Sequence, residues 1–430
     1  MSKDLLLEIG TEEIPAHYMP SILSQIKDLA HKKLDEANIS YESIRSLGTP
    51  RRVALLVGGV AEKQSDVSAK NKGPSVKIAY DSEGNPTKAA MGFARGQKIA
   101  VEDLVVEDGY VYANVTTVGK DTAGLLPDIL KDIILSLSFP KSMIWGDQTV
   151  HFVRPLRWFV ALFGTDVVPF EIAKVKSGRI SRGHRFLGTG DFEIPSMKDY
   201  ESVTREHFLI VDPEERKQMI LQGMQKLADE KGGTIIMDED LLEEVVFLVE
   251  YPTALCGEFD REFLQLPEAA IITPMKDHQR YFPMRDKDGK LMNLFLTVRN
   301  GDDYHLETVQ HGNERVLRAR LDDAKFFFEE DKKKKLIDRV DDLQRIVFQD
   351  GLGTLKDKAQ RLEQITTFLN HKLDLGLDDG DLTRLSDLAK TDLLTQMVAE
   401  FTELQGVMGR EYAMIDGEKQ EIADAINEQY

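Results

Sequence analysis

The sequence has very little cysteine: Cys256 is the only one in 430 residues. A lone thiol excludes an intramolecular disulfide and any Cys-rich zinc site. No window approaches eighteen uninterrupted apolar residues, so no membrane-spanning helix is expected. The opening segment, "MSKDLLLEIGTEEIP", is broken by Asp4, Glu8, Glu12 and Glu13 and lacks the apolar centre of a secretory leader. These absences point to the reducing cytoplasm and leave the activity open. Catalytic signatures are missing as well. The sequence has no GxGxxG or phosphate-loop pattern, no HExxH and no GxSxG turn. His17, His31, His207, His305 and His371 stand singly in polar segments, where surface or capping roles are the ordinary reading. Self-contained catalysis therefore finds little support.

What is abundant is acid: 74 Asp and Glu against 55 Lys and Arg, a formal net charge of -19. Hydrophobic content of 42% with 30% charged residues describes a folded, core-forming chain. Against that background "KVKSGRISRGHRFLG", Lys174 to Gly188, stands out for its cations and its lack of any acid. An acidic protein repels a polyanion unless it offers a local basic face. Arg179, Arg182 and Arg185 recur every third residue among Ser177, Gly178, Ser181 and Gly183, with His184 alongside. Small residues let a backbone approach a phosphate, and the guanidinium fork matches two phosphate oxygens. The competing reading is a solvated hairpin whose arginines pair with acids elsewhere. Arg51 and Arg52 in "TPRRVALLV", and Arg154 and Arg157 beside Trp158, form second candidates, since RNA needs both charge and aromatic stacking. Trp158 and Phe159, however, belong to a strand, where such residues are more often core. "TPMKDHQRYFP" gathers Lys276, His278, Gln279 and Arg280, secondary candidates for RNA contact, and reads as a polar surface cluster rather than a metal site. "EEDKKKK" reads as a solvated helical face.

The early chain has α/β character. "DLLLEIG" and "RRVALLVGGV" suit strands, and "AHYMPSILSQIKDLAHKKLDEA" has helical apolar spacing with Pro20 near its start. "GYVYANVTTVG" alternates like a half-buried strand, and "RPLRWFVALFG" and "DVVPFEIAKV" read as adjacent strands. "PEERKQMILQGMQKLADEKGG" is a helix with proline at its start and glycines at its end. An Asp-Gly turn joins two strands near residue 288. Near His311 the composition shifts to helical period, which places an expected boundary there: an α/β domain over 1–310, with an inserted subdomain at about 63–150, and a helical domain over 311–430.

Several strings together resemble one family. "LLLEIGTEEIP", "LGTPRRVALLV", "RPLRWFVALFG", "GRISRGHRFLG", "LPEAAIITPMKDHQRYFP", "HGNERVLRARLDDAKFFFEED" and "AKTDLLTQMVAEFTELQGVMGREYA" are similar to the β subunit of bacterial glycyl-tRNA synthetase of the α2β2 type. The resemblance implies an α+β chain. Its N-terminal part is similar to the editing-type domain of the phenylalanyl-tRNA synthetase β subunit, and an all-α HD-like domain follows. It also implies a partner α subunit that makes glycyl-adenylate with ATP and Mg, and a β subunit that holds tRNA(Gly) and binds no cofactor itself. In that light Arg179, Arg182, His184 and Arg185 are expected at RNA phosphates. The sequence stops at "IADAINEQY", so the resemblance implies a portion of a longer subunit without anticodon contacts. In "AKTDLL", Asp392 remains but Thr391 stands where an active HD domain has histidine, and Gln349 and Asp350 stand where imidazole would be wanted. That implies a metal-free, catalytically silent domain. The alternative is a stand-alone hydrolase, either an editing-like deacylase or an HD-type phosphohydrolase. A blander possibility is a chain that mainly docks on the α subunit through apolar helices such as "LLPDILKDIILSL" and "DLLTQMVAEFTEL".

Overall fold

The computed structural model describes residues 2–146, 149–188 and 190–430. Helices and strands are mixed in an α+β chain that divides into two compact units, Met1–Glu214 and Glu215–Tyr430.

The first unit is built around β1, Ser2–Thr11, whose residues 5–11 are all buried. A run that is apolar but for Glu8 and the terminal Thr11 suits a strand with neighbours on both sides and cover on both faces. β1 pairs antiparallel with β3, Arg52–Ala61, on one side and with the Leu156–Phe163 strand on the other. β2, Ser43–Thr49, closes one edge against β3. Val175–Gly178 adds in parallel beyond Leu156–Phe163. The segment "DVVPFEIAKV" forms only the two-residue strands Asp166–Val167 and Glu171–Ile172. Ala173 and Lys174 there turn through positive φ of 52° and 61° and form a two-residue hairpin turn that pairs Ile172 with Val175 and Glu171 with Lys176.

One face of the sheet is covered by α1, Met19–Glu36, through Ile22, Ile26, Ala30 and Leu34, spaced by one helical turn. The opposite face gathers Leu6, Ala54, Leu56, Trp158, Val160 and Tyr200. Trp158 lies against β1 at Gly10, where a Cβ would stand 2.0 Å from the indole; only glycine leaves the room. Between β3 and Leu156–Phe163 in the chain, Val67–Ser75, Leu104–Glu107 and Tyr110–Thr117 form a separate three-stranded sheet. It has its own small core of Ala79, Ala90, Ala94, Val111 and Ala113. The Thr122–Ser136 helix buries Leu126, Leu130, Ile133 and Ile134, so these four serve the interior, while Leu135 is exposed.

The second unit takes in all but the first two residues of the Pro213–Lys231 helix, which precedes an antiparallel sheet ordered Thr234–Ile235, Phe282–Arg285, Leu291–Asn300, Pro252–Glu258. The Asp288-Gly289 turn, with Gly289 at φ +77°, joins the middle strands. His311 lies inside the Leu306–Asp331 helix. That helix places Leu317, Leu321, Ala324 and Phe328 in the same core as Phe259, Met275 and Phe295 from the strand-bearing part. Compactness thus divides the chain at Glu214/Glu215, earlier than the composition change, because one core ties the segments on both sides of His311.

"DLLTQMVAEFTEL" is not one helix. It breaks into short turns at Thr391–Leu394, Gln396–Glu400 and Thr402–Leu404, and buries Met397, Val398, Phe401 and Leu404. The "EED" preceding the lysine run is not wholly solvated either. Glu329 and Glu330 pair with Lys332 and Lys333. Asp331 is buried and accepts from the backbone N–H groups of Gln396 and Met397, each at 2.9 Å, and from Tyr412 Oη.

Candidate nucleic-acid interface

The basic stretch folds as Val175–Gly178, then Ile180–Arg182 paired with Asp191–Glu193, then a tight loop. Arg51 is 7% exposed and Arg52 is wholly buried. Arg51 Nη2 donates to the Gly183 carbonyl at 2.7 Å, and Arg52 Nη2 donates to the Arg182 carbonyl at 2.9 Å. Expected at RNA, these two arginines instead brace the basic loop from within, and a buried guanidinium reaches no phosphate. His184 is also buried. Its Nδ1 accepts from the backbone N–H groups of Phe186 and Leu187 at 3.3 and 3.1 Å, which curls the loop.

Beneath the loop lies a polar centre that the sequence reading missed. Glu8, buried in β1, accepts from Trp158 Nε1, Ser181 Oγ and Tyr200 Oη at 2.5 Å each. Burial, and then the Glu8 charge, push the Tyr200 phenol well above its ordinary range. The one available signal was a carboxylate set inside an otherwise apolar strand, since such groups are buried only with partners. Trp158 carries cations on this side: the Arg52 and Arg182 guanidinium carbons lie 5.6 and 5.1 Å from its ring.

The remaining arginines reach the surface, and three of them meet at Glu12 and Glu13. Arg157 Nε is 3.2 Å from Glu12, and Arg185 Nη2 is 2.9 Å from both Glu12 and Glu13. Arg154 Nε donates to the Glu13 carbonyl at 2.7 Å. Arg182 stands over Trp158 instead and has Asp191 at 3.7 Å. Arg179 has Nη2 donating to the Thr165 carbonyl at 2.8 Å. Phe186, beside Arg185, is 80% exposed. Glu12 and Glu13 were likewise missed as site residues; they set how much positive charge the cluster presents.

The second candidate group lies in the second unit. Lys276 pairs with Asp238, Arg280 Nε stands 2.8 Å from Glu244, and His278 packs edge-on against Phe401 with Glu403 4.0 Å away. Gln279 is half-buried beside them. Lys276 holds the Asp238 carboxyl below its ordinary range. The adjoining hollow is lined by Asp238, Asp240, Glu244, Asp277 and Glu403 against Lys276 and Arg280, an excess of acid that disfavours phosphate. Further along, Asp392 is buried. Its Oδ2 accepts from the Gly406 N–H at 2.6 Å, and Oδ1 has no partner among the described residues. Burial raises its carboxyl. The neighbouring Lys390 is buried with its Nζ 3.9 Å from the Tyr430 ring, and burial brings its ammonium down to about 8. Thr391 donates its hydroxyl to the Leu388 carbonyl at 2.8 Å. Among the described residues, no three His, Cys, Asp or Glu side chains are placed to share a metal ion, and no helix is long and apolar enough to cross a membrane.

Fold and site together define an α+β protein with a cation-rich, aromatic-backed surface in its first unit. The chain belongs to the family described as glycyl-tRNA synthetase beta subunit, whose model matches residues 5–430. It is 48% identical over 435 residues to a protein of Desulfitobacterium hafniense named glycine–tRNA ligase beta subunit. Proteins of the same name from Halothermothrix orenii and Bacillus subtilis are each 47% identical over 431 and 436 residues. All three matches cover 100% of this chain, which spans 63 to 64% of these relatives' length. The stand-alone hydrolase reading is not favoured by this kinship.

Proposed function

We propose that this chain is the tRNA-holding, non-catalytic portion of a glycine–tRNA ligase β subunit. It supports the ATP-dependent attachment of glycine to tRNA(Gly) by an α subunit in an α2β2 assembly in the cytoplasm, with ATP and Mg used by the α subunit. The first unit would correspond to the editing-type domain and the helical part of the second to a silent HD-like domain. The observation that carries the RNA assignment is the convergence of Arg154, Arg157 and Arg185 on Glu12 and Glu13, with Arg182 over Trp158 in the same basic stretch. Exposed Phe186 beside them suits an unpaired base, since RNA readers stack bases on aromatics set among cations.

Filter binding of tRNA across a salt series tests this reading. Replacing Arg157, Arg182 and Arg185 together with Ala should weaken binding and flatten the plot of log affinity against log salt by about 2–3, since each lost phosphate contact removes somewhat less than one. An unchanged slope and affinity would reject this surface as the RNA site.

A further inference from the structure

The second unit has an apolar groove that the RNA reading leaves unused. It measures 390 Å³ and runs between the Asp379–Leu388 and Gln420–Glu428 helices. Its floor is Leu377, Leu382, Leu385, Ile422 and Ala425. In the chain just before the groove, Leu373 and Leu375 are 61% and 53% exposed, and Leu377 of the lining is itself 54% exposed. Single exposed leucines are ordinary, but three within five positions leading into an apolar groove are the kind of patch that marks a binding surface. The rim is acidic, formed by Asp378, Asp381 and Glu421. Its one lysine, Lys419, lies 2.7 Å from both carboxylate oxygens of Asp381 and is thereby neutralised.

An apolar floor with an acidic rim selects its occupant by charge. RNA and anionic lipid would be repelled by the rim, and a second copy would bring the same acids against it. We propose that this groove docks a basic amphipathic helix of a partner protein, with leucine-type side chains in the floor and lysine or arginine against Asp378 and Glu421. Helix-in-groove recognition works in this way: apolar anchors one turn apart supply affinity and rim charges set orientation.

The test uses the full chain and a labelled Leu/Lys amphipathic peptide of about five helical turns, with a Leu/Glu peptide of the same apolar pattern as control. Fluorescence anisotropy should show saturable binding of the Leu/Lys peptide and none of the Leu/Glu peptide. The double variant Leu373→Ser/Leu377→Ser, at exposed positions, should weaken binding about tenfold, and Asp378→Asn/Glu421→Gln should weaken it several-fold. Hydrogen exchange should show peptide protection within residues 373–385 and 419–426. Equal affinity of the wild type and both variants would mean diffuse attraction to an acidic protein and would overturn the proposal. So would equal binding of the two peptides. Sedimentation of the wild type as a dimer that Leu373→Ser/Leu377→Ser dissociates would name a second copy as the occupant, and protection of these residues by tRNA would name RNA.

Discussion

Arg51 and Arg52 set the meaning of their neighbours more than they act themselves. A buried guanidinium calls for acceptors, and a carbonyl of the basic loop supplies one to each of these arginines. Arg51→Ala leaves the Gly183 carbonyl short of a donor and opens a void. It should lower the stability of the first unit by about 2–4 kcal/mol, read from urea unfolding, while leaving the salt slope of tRNA binding near the wild-type value. Glu12 and Glu13 work in the opposite direction on the surface. They hold Arg157 and Arg185 in place but compete with phosphate for them. The double change Glu12→Gln/Glu13→Gln should therefore tighten tRNA binding several-fold in the same filter assay; weaker binding would show that positioning outweighs competition. Lys390 gives a pH signature. Its folded pKa, about 8, lies below the ordinary 10.5. Between those values the unfolded chain holds more protons than the folded one, so stability rises with pH through that window and is lost as pH falls toward 8. Relative to Lys390→Met, the wild type should gain stability between about pH 8 and 10.5, measured by urea midpoints of the two proteins. A constant gap would show that the ammonium is not desolvated.

At the scale of elements, the loop from Gly183 to Gly188 depends on one close approach. A Cβ at Gly188 would lie 2.5 Å from His184 N and 2.6 Å from His184 O, whereas one at Gly178 meets nothing within 4 Å. Gly188→Ala should lower the thermal midpoint of the first unit, at a cost of about 1–3 kcal/mol. Gly178→Ala should stay within about 0.5 kcal/mol, and calorimetry of the pair separates loop closure from general intolerance of alanine. Elements of this size were largely legible in the sequence where local rules act alone. The apolar run of β1, the turn spacing of α1, the proline-led Pro213–Lys231 helix and the Asp288-Gly289 turn each follow from period or turn chemistry. Legibility failed where the deciding partner is remote. "RR" reads the same on a surface as in an interior, and what buries Arg51 is a carbonyl 132 positions away. Asp331 reads as one more solvated acid, yet its oxygens meet backbone donors 65 and 66 positions on. Of the site, the basic loop and the Arg154/Arg157 pair were visible as composition. Their neutralising partners Glu12 and Glu13, and the Glu8 centre below, were not, because carboxylates are abundant in this sequence and only the fold selects three of them.

For the molecule as a whole, the net charge of -19 and the local arginine cluster act on RNA over different distances. The excess acid repels a polyanion at long range, and that repulsion is screened beyond a Debye length of roughly 8 Å at physiological ionic strength. The cluster acts at contact, where phosphate displaces counterions and salt competes directly. The two effects separate in kinetics. Association is governed by the long-range field, so adding salt should leave the association rate of tRNA constant or raise it. Dissociation is governed by contacts, so the dissociation rate should climb steeply with salt and carry nearly all the loss of affinity. A protein with a broadly basic face behaves in the reverse way, its association rate falling as salt removes steering. Stopped-flow binding of labelled tRNA between low and physiological salt measures both rates. An association rate that falls steeply over that range would mean that the arginine cluster projects beyond its acidic surroundings. One that holds or rises would identify a short-range clamp, effective only after tRNA has been brought close by another route, such as the partner subunit proposed above.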